Sequence, residues 1–173
     1  MKSCLTHSAR VLAIAGLVTL SACSDKPATE PAPAAAQATV IADQAREGLK
    51  PQITVYKSES CGCCGEWVTY LSEEGFDVTA INHENMDAIK VQLGLPKAEL
   101  KSCHTAVVNE YLVEGHVPAS DILRLLKEQP SDIKGLSAPG MPMNSPGMAS
   151  RTPKDYAVLA FTAEGDTHVY SQY

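Results

Sequence analysis

The chain has 173 residues, with 14 Lys and Arg against 20 Asp and Glu and a formal net charge of −6. This length suits one ordinary domain with short appendages. The sequence has no basic stripe, which excludes a nucleic-acid-binding surface as the basis of its function. Two Phe and one Trp exclude a large aromatic core, whereas the aliphatic residues suffice for a small sandwich of sheet and helices.

Residues 1–22 are typical of a lipoprotein signal peptide. Their apolar run, residues 11–20, is too short for a bilayer, which needs about 20 residues, but it fits a signal-peptide core. The run ends in L-S-A-C at residues 20–23, which resembles the bacterial lipobox and predicts lipidation of Cys23. Ordinary secretory cleavage beside a cysteine is the alternative. By the same resemblance, Ser24 favours a periplasmic protein anchored to the outer membrane of a Gram-negative bacterium.

Residues 23–50 predict a tether that begins at the lipidated cysteine. Three prolines and a run of alanines leave this segment little to bury, so we expect a partly extended chain. A weak helical pattern over residues 40–49 precedes Pro51. We therefore expect one folded domain over residues 51–173. This domain includes a Met- and Pro-rich loop at residues 137–150, hereafter the Met loop.

Strand and helix signals alternate along the folded domain. In chain order they predict a strand (53–56), a helix (64–74), a strand (76–81), a helix (86–93), two strands of a hairpin (105–108 and 111–113) and a helix (120–128). Residues 135–151 match no element, and two more strands (156–161 and 167–170) form a C-terminal hairpin. The order β-α-β-α-β-β-α with an additional C-terminal β-hairpin predicts an α/β, thioredoxin-like fold. Its first two strands are expected to be parallel, with a right-handed crossover.

Three cysteines lie where the first strand passes into the first helix. This cysteine turn, residues 58–67, reads S-E-S-C-G-C-C-G-E-W and holds Cys61, Cys63 and Cys64. A helix N-terminus favours the thiolate and lowers a cysteine pKa. The pair Cys61 and Cys64 alone predicts thiol–disulfide exchange, whereas the additional Cys63 favours thiolates shared among soft metal ions such as Cu(I). A structural disulfide with a spare thiol is a third interpretation.

A further cysteine, Cys103, stands with His104 directly before the third strand. In a thioredoxin-like fold this loop lies against the active-site turn, and the cis-proline usual there is absent. We therefore expect Cys103 to reach the cysteine turn as a fourth thiolate. His104 is a metal ligand, a group that orients a ligand, or an ordinary loop residue. His116 is a structural residue or an auxiliary metal ligand, and His83 and His168 are expected on the surface.

The Met loop contains Met141, Met143 and Met148, separated by prolines and glycines. This composition excludes a helical core stripe. Thioether sulfur is a soft ligand that survives in an oxidising compartment, so these residues are candidate auxiliary ligands that would receive Cu(I) or cover the thiolate site. The alternative is a proline-stiffened loop in which methionine fills space.

Residues 53–173 resemble the CopG-like periplasmic proteins of bacterial copper-resistance clusters. The resemblance rests on four blocks: V-Y-K-S-E-S-C-G-C-C-G-E-W (55–67), S-C-H-T-A-V-V (102–108), V-E-G-H-V-P-A-S-D-I (113–122) and P-G-M-P-M-N-S-P-G-M (139–148). It implies a thioredoxin-like fold, a part in copper tolerance with interconversion of Cu(I) and Cu(II), and copper held in a thiolate cluster by Cys61, Cys63, Cys64 and Cys103. The thioredoxin pattern W-C-G-P-C is absent, which argues against general disulfide oxidoreductase activity.

The sequence thus predicts a lipid-anchored periplasmic copper-binding protein of copper resistance. Its expected partners are copper ions, periplasmic copper-handling proteins and, through the anchor, the membrane. Whether it is an enzyme stays open, with copper oxidoreduction as the implied activity. The alternative function is thiol–disulfide exchange, with Cys61 as the attacking thiolate and Cys64 as the resolving thiol. A structural zinc module, which chelation would unfold, is a third hypothesis.

Overall fold

The computed structural model describes residues 49–173. The predicted signal peptide, Cys23 and almost the whole tether lie outside the described residues. In the described part the elements are β1 (Gln52–Lys57), α1 (Gly62–Glu73), β2 (Asp77–Asn82), α2 (Met86–Gln92), a 3-10 turn (Ala98–Leu100), β3 (Thr105–Val108), β4 (Tyr111–Glu114), α3 (Ala119–Glu128), β5 (Gly135–Ser137), β6 (Ala157–Phe161) and β7 (Thr167–Gln172). None of the helices described here has the length and apolarity that crossing a membrane requires.

The seven strands form one sheet in the order β2-β1-β3-β4-β5-β6-β7. β1 and β2 are parallel and are connected through α1, as the sequence predicts. β3 runs antiparallel to β1 and forms a hairpin with β4. The predicted α/β fold is confirmed, and the order of its first four strands fits the thioredoxin-like expectation.

Helix α1 begins two residues earlier than the pattern predicts. Cys61 is its N-cap residue with extended backbone angles, and Gly62 is the first helical residue. Cys63 and Cys64 therefore lie in the first helical turn. Cys64, Trp67 and Leu71 follow at helical spacing and are fully buried, so the helix packs its cysteine-bearing end against the core.

Strand β5 is an element that the sequence analysis missed, within a stretch that it left without structure. Its three residues pair in parallel with β4 and antiparallel with β6, so they attach the C-terminal hairpin to the sheet. A Cβ atom on Gly135 would lie 2.1 Å from the carbonyl oxygen of Leu112, so the strand can approach β4 only with glycine here. Such a short strand carries no alternation that a sequence could reveal.

Helix α3 begins at Ala119, one residue before the predicted start, with Pro118 as the N-cap residue, so neither Ser120 nor Asp121 caps it. The amide of Ala119 donates instead to the hydroxyl of Tyr70 at 3.1 Å. The Asp121 carboxylate is committed to the C-terminal strand, where it accepts hydrogen bonds from Ser171 and Tyr173. A tertiary hydrogen bond has thus replaced the local cap.

A buried ion pair joins α2 to β4. Lys90 and Glu114 are 3% and 0% exposed, and the Lys90 ammonium lies 2.5 Å from the Glu114 carboxylate. The carboxylate also accepts hydrogen bonds from the Thr105 hydroxyl and from the amide of Ser102, each at 2.6 Å. Burial raises the pKa of Glu114, while the charge of Lys90 counteracts that rise. The pair therefore fixes the start of β3 and the residue before Cys103.

The Met loop is attached to the domain at two points. Gly140 forms a bridge with Ser102, and its amide donates to the carbonyl of Lys101 at 3.0 Å. At the other end a Cβ atom on Gly147 would lie 2.7 Å from the amide nitrogen of Trp67 and 2.9 Å from the carbonyl oxygen of Cys63. The loop therefore connects the segment that precedes Cys103 with the first turn of α1.

We expect Lys90→Met to lower the free energy of unfolding by about 3–5 kcal/mol, because it leaves the Glu114 carboxylate buried without its cation. The double variant K90M/E114Q carries neither charge and should recover much of that loss. Urea unfolding measures both. The matched control is Lys101→Met, whose partner Asp87 is exposed and which should matter far less. Equal losses in the single and double variants would contradict this account of the pair.

Two glycines of the Met loop provide a matched comparison. Gly140 and Gly147 both have positive φ, but an added Cβ meets nothing at Gly140 and meets backbone atoms at Gly147. Gly140→Ala should cost about 1–2 kcal/mol from the backbone conformation alone. Gly147→Ala should cost about 1–3 kcal/mol more, because the loop must move away from α1. Denaturant unfolding tests this ranking, and a reversed or equal order would contradict the close approach at Gly147.

Candidate metal centre

Four cysteine sulfurs converge at the N-terminal end of α1. They all lie within 4.8 Å of one another and are hereafter the four-sulfur set: Cys61, Cys63, Cys64 and Cys103. The antiparallel pairing of β1 with β3 brings them together, because Tyr56 near the end of β1 lies opposite Thr105 at the start of β3. The chain leaving β1 and the chain entering β3 therefore meet at one edge of the sheet. The structure brings together the four cysteines that the sequence analysis selected, and their role as ligands stays a prediction.

Two members of the set are joined covalently in this structure. Cys61 and Cys64 form a disulfide, and Cys63 and Cys103 are the free cysteines of the described part. This disulfide closes a loop with a sequence separation of only 3, so it constrains the unfolded chain little. The pair can therefore be oxidised or reduced with little consequence for the fold. In the oxidised form two of the four sulfurs cannot act as thiolates.

Cys103 is half-buried beside the cysteine turn. Burial raises the pKa of the Cys103 thiol to about 11, and the neighbouring Cys63 thiol acts in the same direction. At neutral pH Cys103 is therefore protonated in this form, and a metal ion that binds it as a thiolate must displace the proton. The N-terminus of α1 was expected to favour thiolates in the cysteine turn. Cys103 does not lie at that helix N-terminus but in the loop before β3.

Two buried histidines face the Cys103 sulfur. The Nδ1 atoms of His104 and His116 lie 3.4 Å and 3.9 Å from it, and both side chains are 0% exposed. The two rings meet edge to face with centroids 4.8 Å apart, and Trp67 packs on the other side of His104 at 4.4 Å. Burial lowers the pKa of both histidines, so both rings are neutral at physiological pH. Neutral imidazole is the form that binds metals.

The β3–β4 hairpin explains the position of His116, which the sequence analysis left as a structural residue or an auxiliary ligand. Thr105 pairs with Glu114 in the hairpin register. Continuing that register by two residues places Cys103 opposite His116. The turn at residues 109–110 was visible in the sequence, so the register could have revealed the contact. The ion pair of Lys90 with Glu114, in contrast, had no such signal, because a lysine within a helix usually faces solvent.

The three methionines predicted as auxiliary ligands lie on the Met loop. Met141 and Met143 are 59% and 63% exposed on the Met loop. Met148 lines a cavity of about 150 Å³ on α1 with Thr69 and Tyr70. The surface positions expected for His83 and His168 agree with their exposure. The Met loop contacts the cysteine-bearing segments at Gly140 and Gly147.

The donor set fits a soft metal ion. A tetrahedral centre with metal–sulfur bonds of about 2.3 Å separates two sulfur ligands by about 3.8 Å. The Cys61 and Cys63 sulfurs are 3.6 Å apart, so little movement would be needed to share an ion between them. Thiolates select Cu(I) and Zn(II), and the adjacent imidazoles add nitrogen donors that both metals accept. The full set requires reduction of the disulfide and loss of the thiol protons, including that of Cys103.

Comparison with known proteins agrees with this site. Two solved structures of "Copper resistance protein copG", Form 2 and Form 1, are each 40% identical in sequence and superpose with a TM-score of 0.66. They match 72% of this chain and 99% and 98% of their own lengths. A family described as "Protein of unknown function, DUF411" matches residues 100–148, which include Cys103, both buried histidines and most of the Met loop. No curated protein sequence matches significantly.

The identity, the coverage and the shared fold are sufficient for assignment to a family. The chain belongs to the CopG family of copper resistance proteins.

Proposed function

We propose that this protein binds Cu(I) on the thiolates of the four-sulfur set as part of copper resistance. The observation that carries the proposal is the convergence of four cysteine sulfurs within 4.8 Å, next to two neutral imidazoles. Sulfur ligands of this kind prefer Cu(I) to harder ions such as Mg²⁺ or Ca²⁺. The relatives of known structure are copper resistance proteins, which supports copper as the metal.

The arrangement favours several Cu(I) ions over one. Three of the four sulfurs belong to one short segment, residues 61–64, where they cannot spread around a single ion as the ligands of separate zinc knuckles do. Thiolates that bridge neighbouring ions relieve this crowding, because each sulfur then serves two metals. Cys103, from the opposite segment, would close the cluster.

The histidines and the Met loop would act as auxiliaries. His104 and His116 lie on the Cys103 side of the cluster and are already neutral, so they can add nitrogen ligands without losing a proton. Met141 and Met143 are exposed on a loop whose ends contact the two cysteine-bearing segments. This placement suits transient thioether ligands, which pass Cu(I) between solvent or a protein partner and the thiolates. Met148, on the side of α1, is the third candidate.

Copper redox chemistry is the catalytic activity that we include in the proposal. Oxidation of the Cys61 and Cys64 thiols to their disulfide releases two electrons, which would reduce two Cu(II) ions to Cu(I), and two protons, which would pass to water. Cys63 and Cys103 would remain available to hold the product. A cellular dithiol donor would then reduce the disulfide again. The disulfide at residues 61 and 64 is the feature that supports this step.

We further propose a periplasmic location with a lipid anchor at Cys23, on the outer membrane. The signal-peptide pattern of residues 1–22 and the lipobox-like residues 20–23 support it. An anchored domain on a tether would meet copper in the compartment where copper resistance acts against external metal. Its partners would be periplasmic copper-handling proteins.

Thiol–disulfide exchange is the second candidate function, and the Cys61–Cys64 disulfide favours it. Cys61 is half-buried and Cys64 is fully buried, which suits an attacking and a resolving thiol. The presence of Cys103 and His104 before β3, where exchange enzymes carry a cis-proline, disfavours it. The two functions differ in their need for Cys63: a Cu(I) cluster uses its thiolate, whereas thiol–disulfide exchange does not.

Anaerobic Cu(I) titration of the reduced protein tests the primary proposal. We expect several Cu(I) ions per chain in the wild type. In Cys63→Ser we expect fewer bound ions, with affinity weakened by about 10-fold or more, because a bridging ligand is lost. Ser60→Ala is the matched control in the same turn and should bind copper as the wild type does.

The same chains distinguish the second candidate. If Cys63→Ser binds copper normally and still reduces a model disulfide at the wild-type rate, thiol exchange becomes the better account. Binding of one weakly held ion, or of none, by the reduced wild type would also reject the cluster.

The Met loop gives a kinetic prediction. Met141→Leu with Met143→Leu conserves volume and removes both exposed thioethers. We expect the number of bound Cu(I) ions to stay constant, while transfer of Cu(I) to a competing chelator slows several-fold. Stopped-flow absorbance measures the transfer rate, and Met86→Leu on α2 is the control. An unchanged rate in the double variant would leave these methionines without a role in transfer.

A further inference from the structure

A second donor set overlaps the four-sulfur set without depending on its disulfide. One ligand atom each from Cys103, His104 and His116 lies within 4.8 Å of the other two, and these residues are hereafter the mixed set. The disulfide involves only Cys61 and Cys64, so the mixed set keeps all its donors in the oxidised protein. The form that has lost half of its thiols therefore still contains one complete group of potential ligands.

The distances in the mixed set are close to those of a tetrahedral metal site. Metal–sulfur and metal–nitrogen bonds of about 2.3 Å and 2.0–2.1 Å place a sulfur and a nitrogen ligand about 3.6 Å apart. The Cys103 sulfur is 3.4 Å and 3.9 Å from the Nδ1 atoms of His104 and His116. These two sulfur–nitrogen distances are each within about 0.3 Å of that value, and the two histidine ligand atoms lie within 4.8 Å of each other.

Both imidazoles also carry a polar atom for which the fold offers no partner. The Nε2 atoms of His104 and His116 are buried and make no hydrogen bond with any described residue. A buried nitrogen without a partner is costly, and two such rings side by side are difficult to explain as structural residues. Ligation through Nε2 would remove this cost, whereas ligation through Nδ1 would leave Nε2 a buried donor without a partner.

The chemistry of the mixed set differs from that of the four-sulfur set. One sulfur with two imidazole nitrogens suits borderline divalent ions, and a set of one or two cysteines with histidines is a known zinc arrangement. Cys63 lies within 4.8 Å of the Cys103 sulfur and is free in the oxidised protein, so its thiol or a water molecule can occupy a fourth position. A polythiolate, in contrast, suits Cu(I).

We propose that Cys103, His104 and His116 form a site for one divalent ion, Zn²⁺ or Cu²⁺, which shares Cys103 with the four-sulfur set and persists when Cys61 and Cys64 are joined as a disulfide. The redox state of that pair would then determine which class of metal the protein holds. The reduced form offers four thiolates to Cu(I), and the oxidised form offers the mixed set to a divalent ion. This inference does not require the proposed Cu(I) cluster to exist.

The test uses Co²⁺ as an optical probe of a tetrahedral divalent site. All proteins are the full chain with Cys4 and Cys23 replaced by Ser, so that the four described cysteines are the only source of thiol sulfur. The variant C61S/C64S removes both disulfide sulfurs permanently. We expect it to bind one Co²⁺ per chain, with sulfur-to-cobalt charge-transfer absorption and the intense visible bands of tetrahedral Co²⁺. The chain with its disulfide intact, verified by mass spectrometry, should give the same result.

Ligand variants are made in the C61S/C64S background. Cys103→Ser and His116→Gln should each weaken Co²⁺ binding by at least about 10- to 100-fold, since even groups that only orient a ligand have effects of that size. His83→Gln is the matched control, because it removes an exposed histidine with no part in the set. Thermal unfolding establishes that each variant is folded. Cys103→Ser changes one atom, so it stays informative if His116→Gln does not fold.

The outcomes separate this inference from the proposed function. Failure of both C61S/C64S and the disulfide form to bind Co²⁺ would overturn the mixed site, as would unchanged binding in Cys103→Ser and His116→Gln. One bound Co²⁺ that is lost in those variants supports the mixed site whatever the Cu(I) titration of the reduced protein gives. Failure of that titration alone rejects the cluster and leaves the mixed site standing.

Discussion

The antiparallel pairing of β1 with β3 is the constraint on which the metal centre depends. A sheet edge at which one strand ends and its neighbour begins brings together two loops that are far apart in sequence. Here the segment that leaves β1, with the first turn of α1, carries three cysteines, and the loop that enters β3 carries the fourth. Neither segment could assemble the four sulfurs alone. The backbone hydrogen bonds between β1 and β3 bring the two segments together. The β3–β4 hairpin extends the same edge and adds His116 opposite Cys103.

Burial then sets the chemistry of the groups that the sheet assembles. Desolvation keeps the two histidines uncharged and the Cys103 thiol protonated, so the resting site carries little charge of its own. A metal ion that enters therefore replaces protons on sulfur and meets nitrogens that are already free to bind. The packing of Trp67 against His104 closes the site on the protein side. The choice of metal would therefore depend more on the softness of the sulfur and nitrogen donors than on nearby charged residues.

The sequence revealed the parts of the structure that have local signals. The β-branched run before the cysteine turn, the glycine after α1 and the hairpin turn at residues 109–110 were sufficient for the strand and helix order. Cys103 could be placed beside the cysteine turn because that order has a known spatial arrangement. Strand β5 could not be predicted, since Gly135 is required by its approach to Leu112, a tertiary contact. The same holds for Lys90, whose partner is 24 residues away.

The N-terminus of α3 also shows that tertiary contacts can override local sequence signals. Ser120 and Asp121 are good capping residues by type, and tertiary hydrogen bonds decided their roles instead. Non-local contacts also position residues 100–148: Ser102 contacts Glu114 and Gly140, and Gly147 packs against α1. Sequence patterns identify which side chains can bind a metal there, and the sheet decides which of them meet.

The buried pair of Lys90 and Glu114 has a consequence for the medium in which the protein works. The carboxylate holds the amide of Ser102, the residue before Cys103, and both charges are hidden from solvent. Dissolved ions screen exposed charges with a Debye length of about 10 Å at 0.1 M salt but affect buried pairs far less. The position of Cys103 relative to the other sulfurs should therefore stay the same from dilute water to brine. A site built in this way keeps its geometry when the ionic strength around it changes.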